Sequence, residues 1–349
     1  MRVIVPCAGR SSRYPGQPPK WMLPAHDGVP MLCLAIAGLE IGLDQIIITI
    51  LREHEERFAA TAGIRAALGH PVEVVVLEEP TRNQPETVAE TIRRASVRGG
   101  FLVKDSDNCF ALSNIKASHN YVCVESLNNF DDVNPRNKSY AQVDHNDMIT
   151  AFREKSVISD LFSVGGYFFS DTEEYLEYFG RLERNLNEWH SEMYLSDVIS
   201  AMTLDGIPAR VRRVSGYQDW GTIREWRAAL ARRRAYFVLL DGFVFARGSR
   251  FFTPRFGEAP ANPQAVASLR AVADEGHTII YLSIRPRSLA AETEAQMMAA
   301  ELPPGPVVYD CPLARWRLVT APHGSLPFGT GEALELDPDD PDVADKLGR

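Results

Sequence analysis

Short apolar runs alternate with longer amphipathic stretches over the first hundred residues. Residues 2–5 (RVIV), 46–51 (IIITIL), 72–77 (VEVVVL) and 101–103 (FLV) are short, mostly β-branched, and predict buried strands. Between them, residues 30–42, 53–68 and 86–97 have an amphipathic pattern that predicts helices. This alternation is that of βα units around a largely parallel sheet. From about residue 119 the texture changes, and NYVCVES, DMITAFREK and SVGGYFF predict strands of a mixed sheet. Helices are then expected over 171–187 and 192–204, followed by ARVRRV, the Gly-containing turn GYQDWGT and a helix through REWRAALARRR. A second start, AYFVLLDGF near residue 235, resets the βα rhythm with HTIIYLSI and PVVYD. The pattern therefore divides the chain at about 233–236. It gives a first domain over 1–233, a second over 235–335 and a solvated acidic tail over 336–349.

Bulk numbers narrow the class. A chain of 349 residues with 45% hydrophobic and 24% charged residues fits two domains with sizeable cores. A net charge of −9 argues against broad nucleic-acid or membrane-surface binding, while a local basic pocket remains compatible with it. The longest clean apolar run is 46–51, far short of the roughly 18 residues of a membrane span. The N-terminus enters a strand directly, with no leader pattern, so a cytoplasmic protein is expected. The 5 cysteines are scattered and form no CxxC, and the 8 histidines show no ligand spacing. Reduced thiols are therefore expected rather than a disulfide framework or a zinc site.

The candidate chemistry begins directly after the first strand, in VPCAGRSSRYPGQPPKWMLP, residues 5–24. A loop of small residues leaving a strand lets an anion approach backbone N–H groups. Here Gly9, Ser11 and Ser12 supply the small residues, and Arg13 and Lys20 the cations. The loop is neither a GxxxxGK[ST] nor a GxGxxG motif. Alone it is as readily a solvated basic turn. Three later stretches change the odds. VKDSDNCF puts Asp105 and Asp107 just after a strand, where carboxylates suit Mg²⁺. YQDWGT adds Asp219, and FREK adds Glu154 and Lys155 before a Gly-Gly strand.

In these stretches the chain resembles the sugar-1-phosphate nucleotidylyltransferases, or pyrophosphorylases, over roughly residues 1–232. The resemblance implies a GT-A-like, Rossmann-like α/β domain with a mixed, mostly parallel sheet. The family opens with a strand, an A-G-x-G-[ST]-R loop and then P-K, matched here by Ala8, Gly9, Ser11, Ser12, Arg13 and Pro19-Lys20, with Ser11 where Gly is usual. It implies phosphate contacts for Arg13 and Lys20, and Mg²⁺ held by Asp107 (in DNC) and Asp219 (in QDWGT). Lys155 would hold the acceptor's phosphate. Glu154, Gly166 and Glu192 (in SEMYLSDVI) would touch the acceptor, and Asp105 would lie beside the nucleotide. EEPTRNQPETVAETI stands at the base-recognition loop, with Gln84 the candidate reader and Asn83 behind it. The implied reaction transfers NMP from an NTP, with a pyrimidine favoured, to a small phosphorylated acceptor, as for cell-surface polysaccharide. Cytidylyl transfer to a non-sugar phosphate or phosphonate, and non-catalytic nucleotide binding for regulation, remain alternatives. Oligomeric state is left open, with a homo-oligomer allowed.

AYFVLLDGFVF resembles the opening motif of the haloacid-dehalogenase-like phosphatases. Leu239 stands where their nucleophilic Asp belongs, two residues before Asp241. A leucine forms no aspartyl-phosphate. Ser283 and Arg285 in YLSIRP resemble the second motif. The expectation is a catalytically inactive phosphatase-like domain, used for assembly, regulation or packing only.

Overall fold

The computed structural model describes residues 1–9, 16–25, 28–130, 134–185, 193–232, 234–246 and 256–312. The chain separates into two compact units, Met1–Trp226 and a second beginning at Arg227. Among the described residues no helix is long and apolar enough to cross a membrane.

The first unit is built on β1 (Arg2–Pro6), β2 (Ile46–Leu51), β3 (Glu73–Leu77) and β4 (Phe101–Lys104). They lie side by side in the order β4-β1-β2-β3, and every pair is parallel. Each of β2 and β4 is buried along its whole length, because helices cover both faces. Side chains alternate between two cores. Val3, Val5, Ile46 and Ile48 face one core with Leu32, Ile36 and Ile64; Ile4 and Ile47 face the other with Val88, Ile92 and Tyr175. The helices are α1 (Met31–Ala37), α2 (Arg52–Phe58), α3 (Ala60–Leu68) and α4 (Gln84–Arg94). The single helix expected over 53–68 is two, broken at Ala59, whose φ of 47° is left-handed. The helix expected over 30–42 stops at Ala37.

Beyond β4 the sheet becomes mixed. A ribbon strand β5 (Asn108–Ala111) is followed by β6 (Asn120–Ser126), β7 (Ser139–Val143), β8 (Ile149–Glu154) and β9 (Leu161–Phe169). The fully buried β9 runs antiparallel between β4 and β6, and β7 pairs with β8 and β9. After α5 (Thr172–Asn185) and α6 (Leu195–Leu204), β10 (Ala209–Arg213) joins β6 in parallel. Then β11 (Ser215–Asp219) pairs antiparallel with β5, ahead of α7 (Ile223–Arg232). The strands β5, β7 and β11 were not among the predicted elements.

Among the described residues the second unit holds three parallel strands, β12 (Ala235–Leu239), β13 (Thr278–Leu282) and β14 (Val307–Val308). Its helices are α8 (Pro263–Asp274) and α9 (Ala290–Ala299). The acidic tail at 336–349 lies outside the described residues.

Candidate active-site cleft

The carboxyl ends of parallel strands are where an open α/β sheet binds ligands. Here a cleft of about 1000 Å³ opens at the ends of β1 and β4. Ala8, Gly9, Lys20, Gln84, Asp105, Asp107, Glu154, Lys155 and Asp219 all line it, so residues scattered over the sequence converge. Ser11, Ser12, Arg13 and Glu192 lie outside the described residues.

Asp107 and Asp219 meet through backbone pairing. In the β5–β11 ribbon Asp219 is the register partner of Asn108, and the Trp220 amide donates to the Asp107 carbonyl at 2.8 Å. Each carboxylate has a lysine: Lys20 pairs with Asp107, and Lys138 with Asp219. The second Asp219 oxygen accepts from the Gly221 amide at 3.1 Å.

The loop from 104 to 108 is held from within by Lys104, which is fully buried. Its ammonium donates to the carbonyls of Asp105 and Asn108, both at 2.8 Å, and to Asn108 Oδ1 at 2.6 Å. It also lies 4.6 Å from the Phe110 ring centroid. Burial pulls its pKa down to about 8, against the opposing pull of Asp105 and Asp107. Gly165 on β9 approaches this loop so closely that a Cβ would lie 2.4 Å from Asp105 Oδ2; its φ of +80° likewise suits only glycine. The neighbouring Gly166 is not in the cleft wall. It points the other way, where a Cβ would meet Cys123 Sγ and Phe110 at 2.8 Å.

Burial, then the nearby Asp107, pushes Asp105 from 3.8 up to about 6, partly offset by Lys104 and the Gln84 amide that donates to it. The folded protein thus keeps the Asp105 proton to higher pH than the unfolded chain. Its contribution to stability is fully present below about pH 4 and is lost as pH rises through about 6. Asp105→Asn is therefore expected to raise the melting temperature relative to the parent at about pH 7.5 and to give no such gain near pH 4. Thermal melts across that range check this, and a gain confined to acid pH would contradict it.

Gln84 starts α4, and Asn83 caps it by accepting from the Glu86 amide at 3.0 Å, with Pro85 in the first turn. The Asn83 Nδ2 is buried and meets no acceptor among the described residues, although Asn83 lines the cleft. A buried donor left unpaired is costly and suits a site that a ligand completes.

At the other end of the cleft, Glu154 closes β8 and accepts from Ser139 and, at 3.0 Å, from Ser196. Lys155 follows with φ +54° and donates to the Tyr194 hydroxyl at 2.6 Å. Lys104, Lys138, Gly165 and Tyr194 belong to this site and were not singled out from sequence. The approach of Gly165 to Asp105 is tertiary, whereas the β-prone Tyr140 and Val143 of SYAQV are a signal for the strand that Lys138 precedes.

In the second unit, the motif residues Asp241, Ser283 and Arg285 come together. Arg285 is fully buried, and its Nε donates to Asp241 at 2.8 Å. Ser283 donates to the other Asp241 oxygen at 3.0 Å. Leu239 is the last residue of β12.

No family model matches the chain, and no curated protein matches it. Solved structures do. A nucleoside-diphosphate-sugar pyrophosphorylase from Vibrio cholerae RC9 superposes with a TM-score of 0.54 at 22% identity, over 66% of this chain and 99% of that one. A Bacillus anthracis protein assigned as a glucose-1-phosphate thymidylyltransferase, complexed with sucrose, gives 0.52 at 19%, over 66% and 94%. The inositol-1-phosphate CTP transferase of T. maritima gives 0.50 at 14%, over 64% and 90%. The mixed α/β architecture with its mostly parallel sheet is thus the nucleotidyltransferase fold of these neighbours. At this identity the likeness is one of fold.

Proposed function

We propose that the chain is a nucleotidyltransferase that joins NMP from an NTP to a small phosphorylated acceptor, a sugar-1-phosphate, and releases pyrophosphate. The observation that carries this is the β5–β11 ribbon, whose pairing of Asp219 with Asn108 sets Asp107 and Asp219 in one cleft with Lys20 and Lys155. The fold of the neighbours, by name a pyrophosphorylase, a CTP transferase and a thymidylyltransferase, supports it.

An acceptor phosphate oxygen forms a bond to the α-phosphorus as the bond to the β-phosphate oxygen breaks. The acceptor is already anionic at neutral pH, so the chain needs no general base. The difficulty is gathering like charges. Lys20 neutralises the leaving polyphosphate, and Lys155 orients the acceptor's phosphate against its repulsion. Asp107 and Asp219 offer a pair of carboxylates of the kind that, with phosphate oxygens and water, suits Mg²⁺. Among the described residues no group of three or more His, Cys, Asp or Glu side chains is placed to hold a metal ion. When bound, Mg²⁺ supplies charge neutralisation on the transferred and leaving phosphates. Asn83, with its unpaired donor, and Gln84 form the base-facing end, for which we favour a pyrimidine. In the second unit we propose a phosphatase-like fold without catalysis, because Asp241 is taken up by Arg285 and Leu239 bears no nucleophile.

The test is pyrophosphate release from CTP, UTP, dTTP, GTP and ATP with Mg²⁺, against sugar-1-phosphates and polyol and amino-alcohol phosphates. Turnover with one NTP–acceptor pair is expected. A polyol or amino-alcohol phosphate as the only acceptor would move the acceptor class. No Mg²⁺-dependent binding of any NTP by calorimetry would overturn the transferase reading.

A further inference from the structure

Lys138, just before β7, serves two ends of the cleft at once. Its side chain is only 12% exposed and is paired with Asp219. Its ammonium donates to the Tyr217 hydroxyl at 2.8 Å and lies 5.4 and 5.8 Å from the ring centroids of Tyr217 and Phe162. Its carbonyl accepts the Lys155 amide at 2.9 Å, which helps to fix the left-handed backbone of Lys155.

On the transferase reading, Asp219 would be shared by two cations of different kinds, this ammonium and a divalent ion. Without substrate, the ammonium neutralises the carboxylate and repels a dication approaching the same oxygens. The aromatic walls hold that ammonium in place, so it does not simply swing into water. An arriving triphosphate changes the balance, because its negative charge attracts the dication and the ammonium alike.

We propose that Lys138 is a positioning residue that keeps Asp219 neutralised until a polyphosphate enters, so that the divalent ion is taken up with the nucleotide and not before it. This rests on reading the cleft as a nucleotidyl-transfer centre. It assigns to Lys138 a role that opposes metal binding in the free protein, the reverse of what a merely structural support would do.

The test is Mn²⁺ binding to the full chain without nucleotide, followed by the paramagnetic resonance of the free ion. Lys138→Met is expected to bind Mn²⁺ about tenfold or more tightly than the parent, because a contact charge is removed from a shielded site. Lys138→Arg, which keeps the charge, should stay near the parent. In an Asp219→Asn background, Lys138→Met should give no gain, which localises the competition to that carboxylate. Circular dichroism checks folding, and Lys138→Gln carries the same measurement if the Met variant does not fold. Unchanged or weaker Mn²⁺ binding in the charge-removing variants overturns the proposal, as does no binding to any variant. Turnover by the parent without the affinity gain sinks this proposal and leaves the transferase standing. The gain without turnover or nucleotide binding by the parent does the opposite.

Discussion

Asp107→Asn is expected to lower Mg²⁺-dependent pyrophosphate release by about 10²–10³-fold, the scale for losing one preorganised charge at a transition state. The substitution is nearly isosteric, so the ribbon should survive it. What anchors Asp107 in the fold is its backbone, whose carbonyl accepts the Trp220 amide at 2.8 Å. The side chain is only 11% exposed and paired with Lys20, so the change also leaves that ammonium facing a neutral amide. The loss should appear in kcat more than in the KM for the acceptor, since the acceptor is proposed to bind at the other end of the cleft, with Glu154, Lys155 and Tyr194. A companion melt separates chemistry from folding, and the melting temperature should move little. If turnover stays within about tenfold of the parent, the charge on which the reaction depends is not at 107. Asp105, on the same loop, is then the acid to replace next.

The parts of the fold legible in the sequence are those whose signal is local. Strands β1, β2 and β4 are buried over most or all of their length, so they read as continuous apolar runs, while the edge strand β3 buries only Val75 and Leu77 and shows through its β-branched residues. The break at Ala59 was not legible because a left-handed residue usually advertises itself as glycine, and alanine does not. The ribbon strand β5 reads as a turn, since Asp-Asn favours turns and the strand is only 4 residues long. The cost of missing β7 was Lys138, which stands immediately before it.

The site was legible as types of residue rather than as contacts. Lys20, Asp107, Lys155 and Asp219 stood out because charges beside strand ends and Gly turns are unusual in a core-rich region, and all four line the cleft. Which lysine meets which acid is tertiary. Gly165 and Gly166 show the limit well. Adjacent strand residues point to opposite faces, and no local signal says which face is the cleft. Lys104 was hidden for the opposite reason: a lysine at a strand end reads as solvated, and here three oxygens and a ring receive it inside.

Arg285→Met is expected to destabilise the second unit by about 3–5 kcal/mol, because it strands a buried carboxylate. The Arg285 side chain is fully buried and that of Asp241 is 5% exposed. The guanidinium also donates to Gln296 at 2.7 Å and stands near the rings of Phe245 and Phe256, at 5.1 and 5.0 Å. Removing it leaves Asp241 with the Ser283 hydroxyl at 3.0 Å as its remaining side-chain donor among the described contacts. Hydrogen exchange of the full chain checks the size and the place of the effect. Protection should fall by roughly a hundredfold or more in β12 and β13, with β1 and β2 unchanged, since those strands belong to the other unit. Adding Asp241→Leu should restore much of the loss, because a buried pair replaced as a whole by apolar side chains leaves no orphaned charge. A double variant as unstable as the single one would mean that the guanidinium's other contacts, rather than its pairing with Asp241, hold the unit together. It would also weaken the view that the pairing is what removes Asp241 from chemistry.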